Sequence, residues 1–298
     1  MGGGCWTTTA YANCVKNAGF STRTTSTGAV VSDDMTTAST QSFYKSLRLA
    51  DELNPYNVVR ECCDSEEHPN TIPVILALDV TGSMGKSAMT CAGKLDEIMT
   101  KLYKKVTDIE FLMMGIGDLV YDDAPIQASQ FESDIRILDQ TSKIYFEGGG
   151  GGNAWESYTA AWYFGARQTK LDCWKRAKKG IIITIGDECL NPYLPKRRLI
   201  TTLGCSEQDN VDTVNLYKEV SEKYDVYHIG ITDSVSMNYT RGNVGSMIRD
   251  SWKDVIGQHY FEGKCDDIPE LIEEIVMDSV NDSSKESVVV DTSEGIAW

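Results

Sequence analysis

Two uninterrupted apolar segments, IPVILALD at residues 72–79 and GIIITIG at residues 180–186, constrain the fold of this chain more than any other feature. Each has the length of one strand and carries apolar side chains at successive positions, so both of its faces must be covered. Segments with helical periodicity alternate with these and other strand-like runs, which is typical of a parallel sheet between layers of helices. The sequence therefore predicts an α/β fold with a doubly wound, mostly parallel central sheet flanked by helices.

The remaining secondary structure is predicted from the spacing of apolar residues along the chain. We predict helices over residues 87–106, 154–167, 211–224 and 268–280, and further strands over residues 109–117, 225–231 and 258–261. Because consecutive parallel strands need a crossover, their carboxyl ends share one edge of the sheet. Ligands of such folds bind where loops leave that edge.

Composition divides the chain of 298 residues into three parts. Residues 1–69 form an N-terminal arm rich in Ser, Thr and Gly, with a short helical pattern at residues 41–53. Such a segment has little apolar surface to bury and stays extended unless it docks on another surface. Residues 70–282 carry the α/β pattern, and residues 283–298 form a C-terminal tail. We therefore predict a single α/β domain with an N-terminal extension.

The net charge of −16 makes a nucleic acid an unfavourable partner, because most of the surface would repel a polyanion. No segment reaches the roughly 20 consecutive apolar residues that cross a bilayer, so no membrane span is expected. The N-terminus MGGGCWTTTA has neither the charged head nor the apolar middle of a secretory signal. We expect a cytoplasmic protein or, alternatively, a component of a virion. Its expected partners are cations and proteins.

Three loops at the predicted carboxyl edge carry the polar chemistry. Asp79, Thr81 and Ser83 alternate directly after the first apolar strand, and Asp187 follows the second. Alternation through a turn can direct all three side chains of the first loop at one point, and such oxygen ligands suit a hard cation. The third loop lies between these two in sequence and reads FEGGGGGNAWES at residues 146–157. Its five glycines permit unusual backbone conformations, and its Asn153 can reach back to the other two loops as a neutral oxygen donor.

With these residues the chain resembles a von Willebrand factor type A (VWA) domain with a metal-ion-dependent adhesion site. In that family a strand ends in D-x-[ST]-x-S, which Asp79, Thr81 and Ser83 match, and a later strand ends in an Asp, which Asp187 matches. The middle loop of the family usually offers a Thr. Here it reads G-G-N-x-x-E and is similar to an intracellular branch with G-G-G-D-x-x-E, so that both Asn153 and Glu156 are candidate ligands.

The resemblance implies binding rather than catalysis, and no enzyme activity is expected. It implies that Mg²⁺ or Mn²⁺ is held largely by hydroxyls and water, so that the ion keeps positive charge and an open coordination position. An acidic residue of a protein partner then completes the coordination. We expect a role in protein–protein interaction within an oligomeric or virion-type assembly. Either Glu156 or Glu188 of the chain itself is an alternative occupant of the open position.

Two alternative functions stay open at this point. The first is a P-loop ATPase that uses GKS at residues 85–87 together with Asp187 and Glu188 as the acidic pair of a Walker B strand. Against it, Val80 occupies the position of the first P-loop glycine, and Asp79 would repel phosphate at the mouth of the loop. The second alternative is a metal-free architectural component, in which Thr81 and Ser83 serve as helix caps.

Overall fold

The computed structural model describes residues 48–84, 86–147, 155–234 and 243–286, together with short stretches before residue 33. Its central sheet has six strands in the order β3-β2-β1-β4-β5-β6, and every neighbouring pair is parallel except β2 and β3. The strands are β1 Ile72–Asp79, β2 Ile109–Ile116, β3 Ile126–Ala128, β4 Gly180–Gly186, β5 Tyr224–Ile231 and β6 Tyr260–Gly263. The predicted doubly wound, mostly parallel α/β fold is confirmed.

Helices cover both faces of this sheet. They are α1 Lys86–Gly93, α2 Leu95–Leu102, α3 Arg136–Thr141, α4 Thr159–Arg167, α5 Lys196–Leu203, α6 Thr213–Val220, α7 Val244–Ile256 and α8 Ile268–Glu286. Side chains of α1, α2, α3 and α8 share one apolar core with alternate residues of β1 and β4. Side chains of α4 to α7 share the other core with the intervening residues. Burial of both strand faces therefore explains the uninterrupted apolar segments from which the fold was predicted.

Short strand pairs and 3₁₀ turns complete the described structure. Two of the pairs attach loops to one another at the carboxyl edge of the sheet: Trp155–Glu156 runs parallel to Cys189–Leu190, and Tyr193–Leu194 runs antiparallel to Val211–Asp212. The other two pairs are Arg60–Cys62 with Thr169–Leu171 and Thr22–Thr24 with Val30–Ser32. The 3₁₀ turns are Asp51–Leu53, Asp172–Arg176, Gly257–His259 and Cys265–Asp267.

Several element boundaries differ from the sequence prediction. The helix predicted over residues 87–106 is two helices, separated at Lys94, which follows Gly93 and pairs with Asp266 at 2.8 Å. The helix predicted from residue 154 begins only at Thr159, because residues 155 and 156 form a strand instead. Most of the N-terminal arm, including residues 41–47 of its predicted helix, and residues 287–298 of the tail lie outside the described residues.

The order of the strands places the two acidic strand ends side by side. The chain runs outward from β1 to β2 and β3, then returns to the other side of β1 to form β4. The strand order therefore reverses between β1 and β4, which is where ligands of open α/β sheets bind. Asp79 is the last residue of β1, and Asp187 directly follows β4. None of the helices in the described ranges combines the length and the apolar character needed to cross a bilayer.

Candidate metal site

The loop after β1 is organised around the carboxylate of Asp79, which is completely buried. Thr81 donates two hydrogen bonds to Asp79 Oδ1, from its backbone amide at 2.9 Å and from its hydroxyl at 2.6 Å. The amide of Val80 donates to the carbonyl of Ile116 at 2.9 Å and so continues the pairing with β2. An acid that binds the amide two residues later is the usual Asx turn. The sequence Asp-Val-Thr thus fixes the direction in which the Thr81 hydroxyl points.

Ser83 connects this loop with the loop after β4. Its hydroxyl lies 3.0 Å from the Thr81 hydroxyl and donates to Asp187 Oδ1 at 3.0 Å. Asp79, Thr81, Ser83 and Asp187 therefore form one continuous series of hydrogen-bonded oxygen atoms at the point where the strand order reverses. Around an octahedral Mg²⁺ with bonds of about 2.1 Å, neighbouring ligand oxygens lie about 3.0 Å apart. The observed separations are those of adjacent ligands of such an ion.

Tyr158, which the sequence analysis did not select, holds the two strand ends together. Its buried hydroxyl donates to Asp79 Oδ2 at 2.6 Å and accepts from the amides of Asp187 and Glu188 at 3.2 Å each. Gly186 makes this approach possible, because a Cβ atom there would lie 2.2 Å from the Tyr158 hydroxyl. The glycine directly before Asp187 was the feature of the sequence that could have indicated a close contact at this strand end.

The Asp79 carboxylate is electrostatically unfavourable in the absence of a cation. Burial, and then the charge of Asp187, raise the pKa of Asp79 to about 7, and the hydrogen bonds from Thr81 and Tyr158 offset only part of this. The hydrogen bonds that Asp79 accepts come from Thr81 and Tyr158, and no ion pair within the described ranges joins Asp79 to a lysine or arginine. A divalent cation near Asp79 and Asp187 would therefore relieve a repulsion already present in the fold.

Glu156 lies beside the same group of acids, in the short strand that pairs with Cys189–Leu190. Its side chain is 5% exposed, and among the described residues its Oε2 atom has no hydrogen-bond partner. Burial, followed by the charges of Asp79 and Asp122, raises the pKa of Glu156 to about 10. Asn153, the alternative middle-loop ligand, and the glycines at 148–152 lie outside the described residues. The choice between the two candidate ligands stays a prediction.

A fourth loop, residues 117–123 after β2, also reaches this edge and was not assigned to the site from the sequence. The amide of Leu119 donates to the Ser157 hydroxyl at 2.9 Å, and the amide of Ser157 donates to the carbonyl of Gly117 at 3.2 Å. Asp122 accepts from the amide of Asp118 at 2.6 Å, and burial is the main cause that raises its pKa to about 6. The loop therefore surrounds Glu156 with further acidic side chains.

The donor set combines carboxylates with hydroxyls. Within the part of the chain that the structure describes, no three His, Cys, Asp or Glu side chains converge as a metal-binding group. A site built on Asp79 and Asp187 therefore depends on Thr81 and Ser83 for its remaining protein ligands. Such all-oxygen, partly neutral sets suit Mg²⁺ and Mn²⁺ better than Zn²⁺, which prefers nitrogen and sulfur.

A cluster of buried aromatic rings packs around Tyr158 and contacts the loop after β4. The ring of His228 stacks on Trp252 with centroids 3.5 Å apart, and the Tyr158 ring lies 5.3 Å from each of them. Burial holds the pKa of His228 well below its ordinary value, so the ring is neutral. The Trp252 indole donates to the carbonyl of Glu188 at 3.1 Å and thereby fixes the loop after β4. His228 is thus a core residue, as its position inside a strand indicates.

Comparisons with known proteins find similar structures but no related sequence. No family model and no curated protein sequence matches the chain. The pilus adhesin SpaC from Lactobacillus rhamnosus GG superposes in its open conformation with a TM-score of 0.49 and 11% identity, over 76% of this chain and 31% of SpaC. This chain therefore spans about a third of the length of that adhesin.

Two smaller structures match along nearly their whole length. The vWF domain of the type V pili tip protein Mfa5 from Porphyromonas gingivalis has a TM-score of 0.43 and 10% identity, over 76% of this chain and 99% of that domain. BatB from Bacteroides thetaiotaomicron has a TM-score of 0.40 and 14% identity, over 72% and 99%. Identities this low do not indicate a shared function, which depends on the chemistry of the site in this chain.

Proposed function

We propose that this chain is a protein-binding module of the VWA type with a metal-ion-dependent adhesion site. In this proposal Asp79, Thr81, Ser83 and Asp187 hold Mg²⁺ or Mn²⁺, and an acidic side chain of a protein partner completes the coordination of the ion. The observation that carries the proposal is the continuous series of hydrogen-bonded oxygens from Asp79 to Asp187, in which the Ser83 hydroxyl joins the two strand ends at 3.0 Å.

The charge balance of the site supports an ion that attracts a further acid. Both oxygens of Asp79 already accept hydrogen bonds, from Thr81 and from Tyr158, which spreads the carboxylate charge away from the ion. With a pKa of about 10 in the metal-free protein, Glu156 holds its proton at neutral pH and is not a negative charge that already occupies the site. Because Thr81 and Ser83 are neutral ligands, a divalent ion would keep open coordination positions, which favours the carboxylate of a partner.

Nucleotide binding by the same loop is less compatible with these contacts. A P-loop surrounds phosphates with free backbone amides. Here the Thr81 amide donates to Asp79, and the Val80 amide donates to the carbonyl of Ile116. The buried carboxylate of Asp79 would also repel a phosphate at this position. We therefore propose binding of a protein rather than of ATP, without enzyme activity, in a larger assembly and within the cell.

The test is titration of the full chain with Mg²⁺ and Mn²⁺ by isothermal calorimetry. We expect saturable binding to a single site that Asp187→Ala abolishes, while the circular dichroism spectrum stays that of the native chain. Asp225→Asn serves as a control, because Asp225 is the second residue of β5, at the opposite edge, and pairs there with Lys179 at 3.5 Å. Undiminished ion binding by Asp187→Ala, or absence of ion binding by the native chain, contradicts the proposal.

A further inference from the structure

Large apolar side chains are exposed around the candidate metal site. Val120 and Tyr121 in the loop after β2 are 40% and 57% exposed, Trp155 is 38% exposed, and Tyr193 is 45% exposed. All four belong to segments at the carboxyl edge of the sheet, and we refer to them together as the apolar rim. Aromatic residues that are exposed together beside a site commonly mark a surface that binds a protein.

Backbone contacts join the segments of the apolar rim into one surface. Trp155 pairs with Cys189 in the short parallel strands, and Tyr193 follows four residues later in the same loop. Arg198, on α5, donates from Nη2 to the carbonyl of Val120 at 2.8 Å and so connects this loop with the loop after β2. The loops that carry the apolar rim are therefore joined to one another at the edge of the sheet that holds the metal site.

Two exposed arginines lie at this border without an acidic partner. Among the described residues, no carboxylate forms an ion pair with Arg197 or Arg198 at the start of α5. Arg136, Arg167, Arg176 and Arg249, by contrast, each pair with a carboxylate. In a chain with 44 acidic and 28 basic residues, an arginine commonly finds a carboxylate within reach. The charges of Arg197 and Arg198, which none of the described carboxylates neutralises, are therefore available to a partner.

The acids of the neighbouring loop restrict where an acidic partner can approach. Asp118 is buried, and its Oδ1 accepts from the amide of Val120 at 2.6 Å. Asp122 is half-buried and accepts from the amide of Asp118. Asp123 is exposed in the same loop and repels acids near Tyr121. Arg197 and Arg198 are therefore the groups beside this loop that attract negative charge on a partner.

We propose that the metal site, the apolar rim and the two arginines together form one docking surface for an acidic peptide segment of a protein partner. The segment places one carboxylate at the ion, a second acidic side chain at Arg197 and Arg198, and an aromatic or large aliphatic side chain on the rim. The first of these contacts rests on the function proposed above, whereas the other two depend only on residues outside the ion's ligands. Tyr, Trp and Arg are the residues that most often dominate binding energy at protein interfaces.

The probe for this proposal is a random dodecapeptide library displayed on phage and selected against the full chain in the presence of Mg²⁺. We expect the selected peptides to contain an aromatic or large aliphatic residue together with at least two acidic residues. The affinity of one selected peptide is then measured by fluorescence anisotropy for the native chain and for variants.

Two double variants test the surface, and a third is the control. Tyr121→Ser with Tyr193→Ser, and Arg197→Gln with Arg198→Gln, are each expected to weaken peptide binding by about tenfold or more. The control is Tyr56→Ser with Val59→Ser. These two side chains are 49% and 48% exposed and lie near the carboxyl ends of α4 and α5, at the opposite edge of the sheet. It should change the affinity less than about twofold. Mg²⁺ affinity, measured by calorimetry, should be the same in all three variants because none of these residues is a proposed ligand.

The outcomes separate this inference from the proposed function. Peptide binding that EDTA abolishes but that both surface variants retain contradicts the docking surface and leaves the metal site in place. Binding that the surface variants lose but that persists in EDTA supports the surface and contradicts the role of the ion. A selection that returns no peptide, or peptides without the expected acidic and apolar residues, contradicts the docking surface.

Discussion

The hydroxyl of Tyr158 donates a hydrogen bond of 2.6 Å to the buried carboxylate of Asp79, across the gap between α4 and the end of β1. The same hydroxyl accepts from the amides of Asp187 and Glu188, each at 3.2 Å. One phenol group thus fixes the orientation of an acid on β1 and the backbone of the loop after β4. Outer groups of this kind determine how well the ligands of a metal site are positioned.

Replacing Tyr158 with Phe removes this hydroxyl while preserving the ring. We expect Mg²⁺ and Mn²⁺ affinity to fall by about ten- to a hundredfold, because Asp79 and the Asp187 loop lose the group that orients them. Calorimetric titration of the two proteins measures the effect. Tyr163→Phe is a matched control, since Tyr163 is also buried and donates to a carboxylate, that of Glu207, at 2.6 Å. Equal losses in both variants would mean that the Tyr158 hydroxyl has no particular role in ion binding.

Gly186 provides the space that the Tyr158 hydroxyl occupies. A Cβ atom at residue 186 would lie 2.2 Å from that hydroxyl, so Gly186→Ala must displace Tyr158 and weaken ion binding. We also expect a loss of about 1–3 kcal/mol in the free energy of unfolding, as for other overpacked sites. Gly230→Ala is the control, because its Cβ would lie 2.5 Å from the hydroxyl of Tyr260, which is not part of the site. Urea unfolding should show a loss in both variants, and calorimetry should show weakened ion binding in Gly186→Ala alone.

The stability of the metal-free protein should depend on pH through Asp79. The pKa of Asp79 rises from 3.8 to about 7 on folding, so between these values the native state binds more protons than the unfolded state. Stability therefore falls as the pH rises through this range, and the part due to Asp79 is present below about pH 4 and lost above about pH 7. Bound Mg²⁺ reverses the effect, since it displaces the proton and its affinity rises with pH.

Urea unfolding in EDTA between about pH 5 and about pH 8 measures this dependence. The free energy of unfolding of the native chain should decrease relative to that of Asp79→Asn, on the order of 1.4 kcal/mol per pH unit below the folded pKa. The difference between the two proteins isolates Asp79 from the other acids of the chain. A difference that stays constant across this range would show that Asp79 is already ionised at the lower pH.

Asp79, Thr81, Ser83 and Asp187 were accessible to sequence reasoning because their positions follow from the apolar strands alone. Once the segments ending at residues 79 and 186 are assigned as parallel strands, their carboxyl ends must meet at one edge. Tyr158 was not accessible in this way. Its contact with Asp79 depends on how α4 packs against the sheet, and the helix was predicted to begin at residue 154 rather than at Thr159. The strand at residues 155 and 156 is stabilised by pairing with a loop that is distant in sequence.

Two further elements were missed for different physical reasons. Strand β3 has three residues and adds to the sheet as an antiparallel edge, too short to show a periodic pattern. Helix α5 was not predicted. Its signals were nevertheless present, because Pro195 precedes it, Gly204 ends it in a left-handed conformation with φ of 70°, and Leu199 and Leu203 form its buried face.

Ser83 and Ser87 distinguish the metal site from a nucleotide site. Ser83 bridges Thr81 and Asp187, whereas Ser87 is the serine of the GKS sequence and lies in the first turn of α1. Ser83→Ala should weaken Mg²⁺ binding by about tenfold or more, because the site loses a ligand and the hydrogen bond from Ser83 to Asp187 that joins its two loops. Ser87→Ala should leave it within about twofold of the native value. A P-loop reverses this order, since the serine after the lysine binds the magnesium of the nucleotide. Titration of both variants with Mg²⁺, alone and with a non-hydrolysable ATP analogue, therefore separates the two functions. If the native chain binds the analogue and Ser87→Ala does not, the result favours the ATPase.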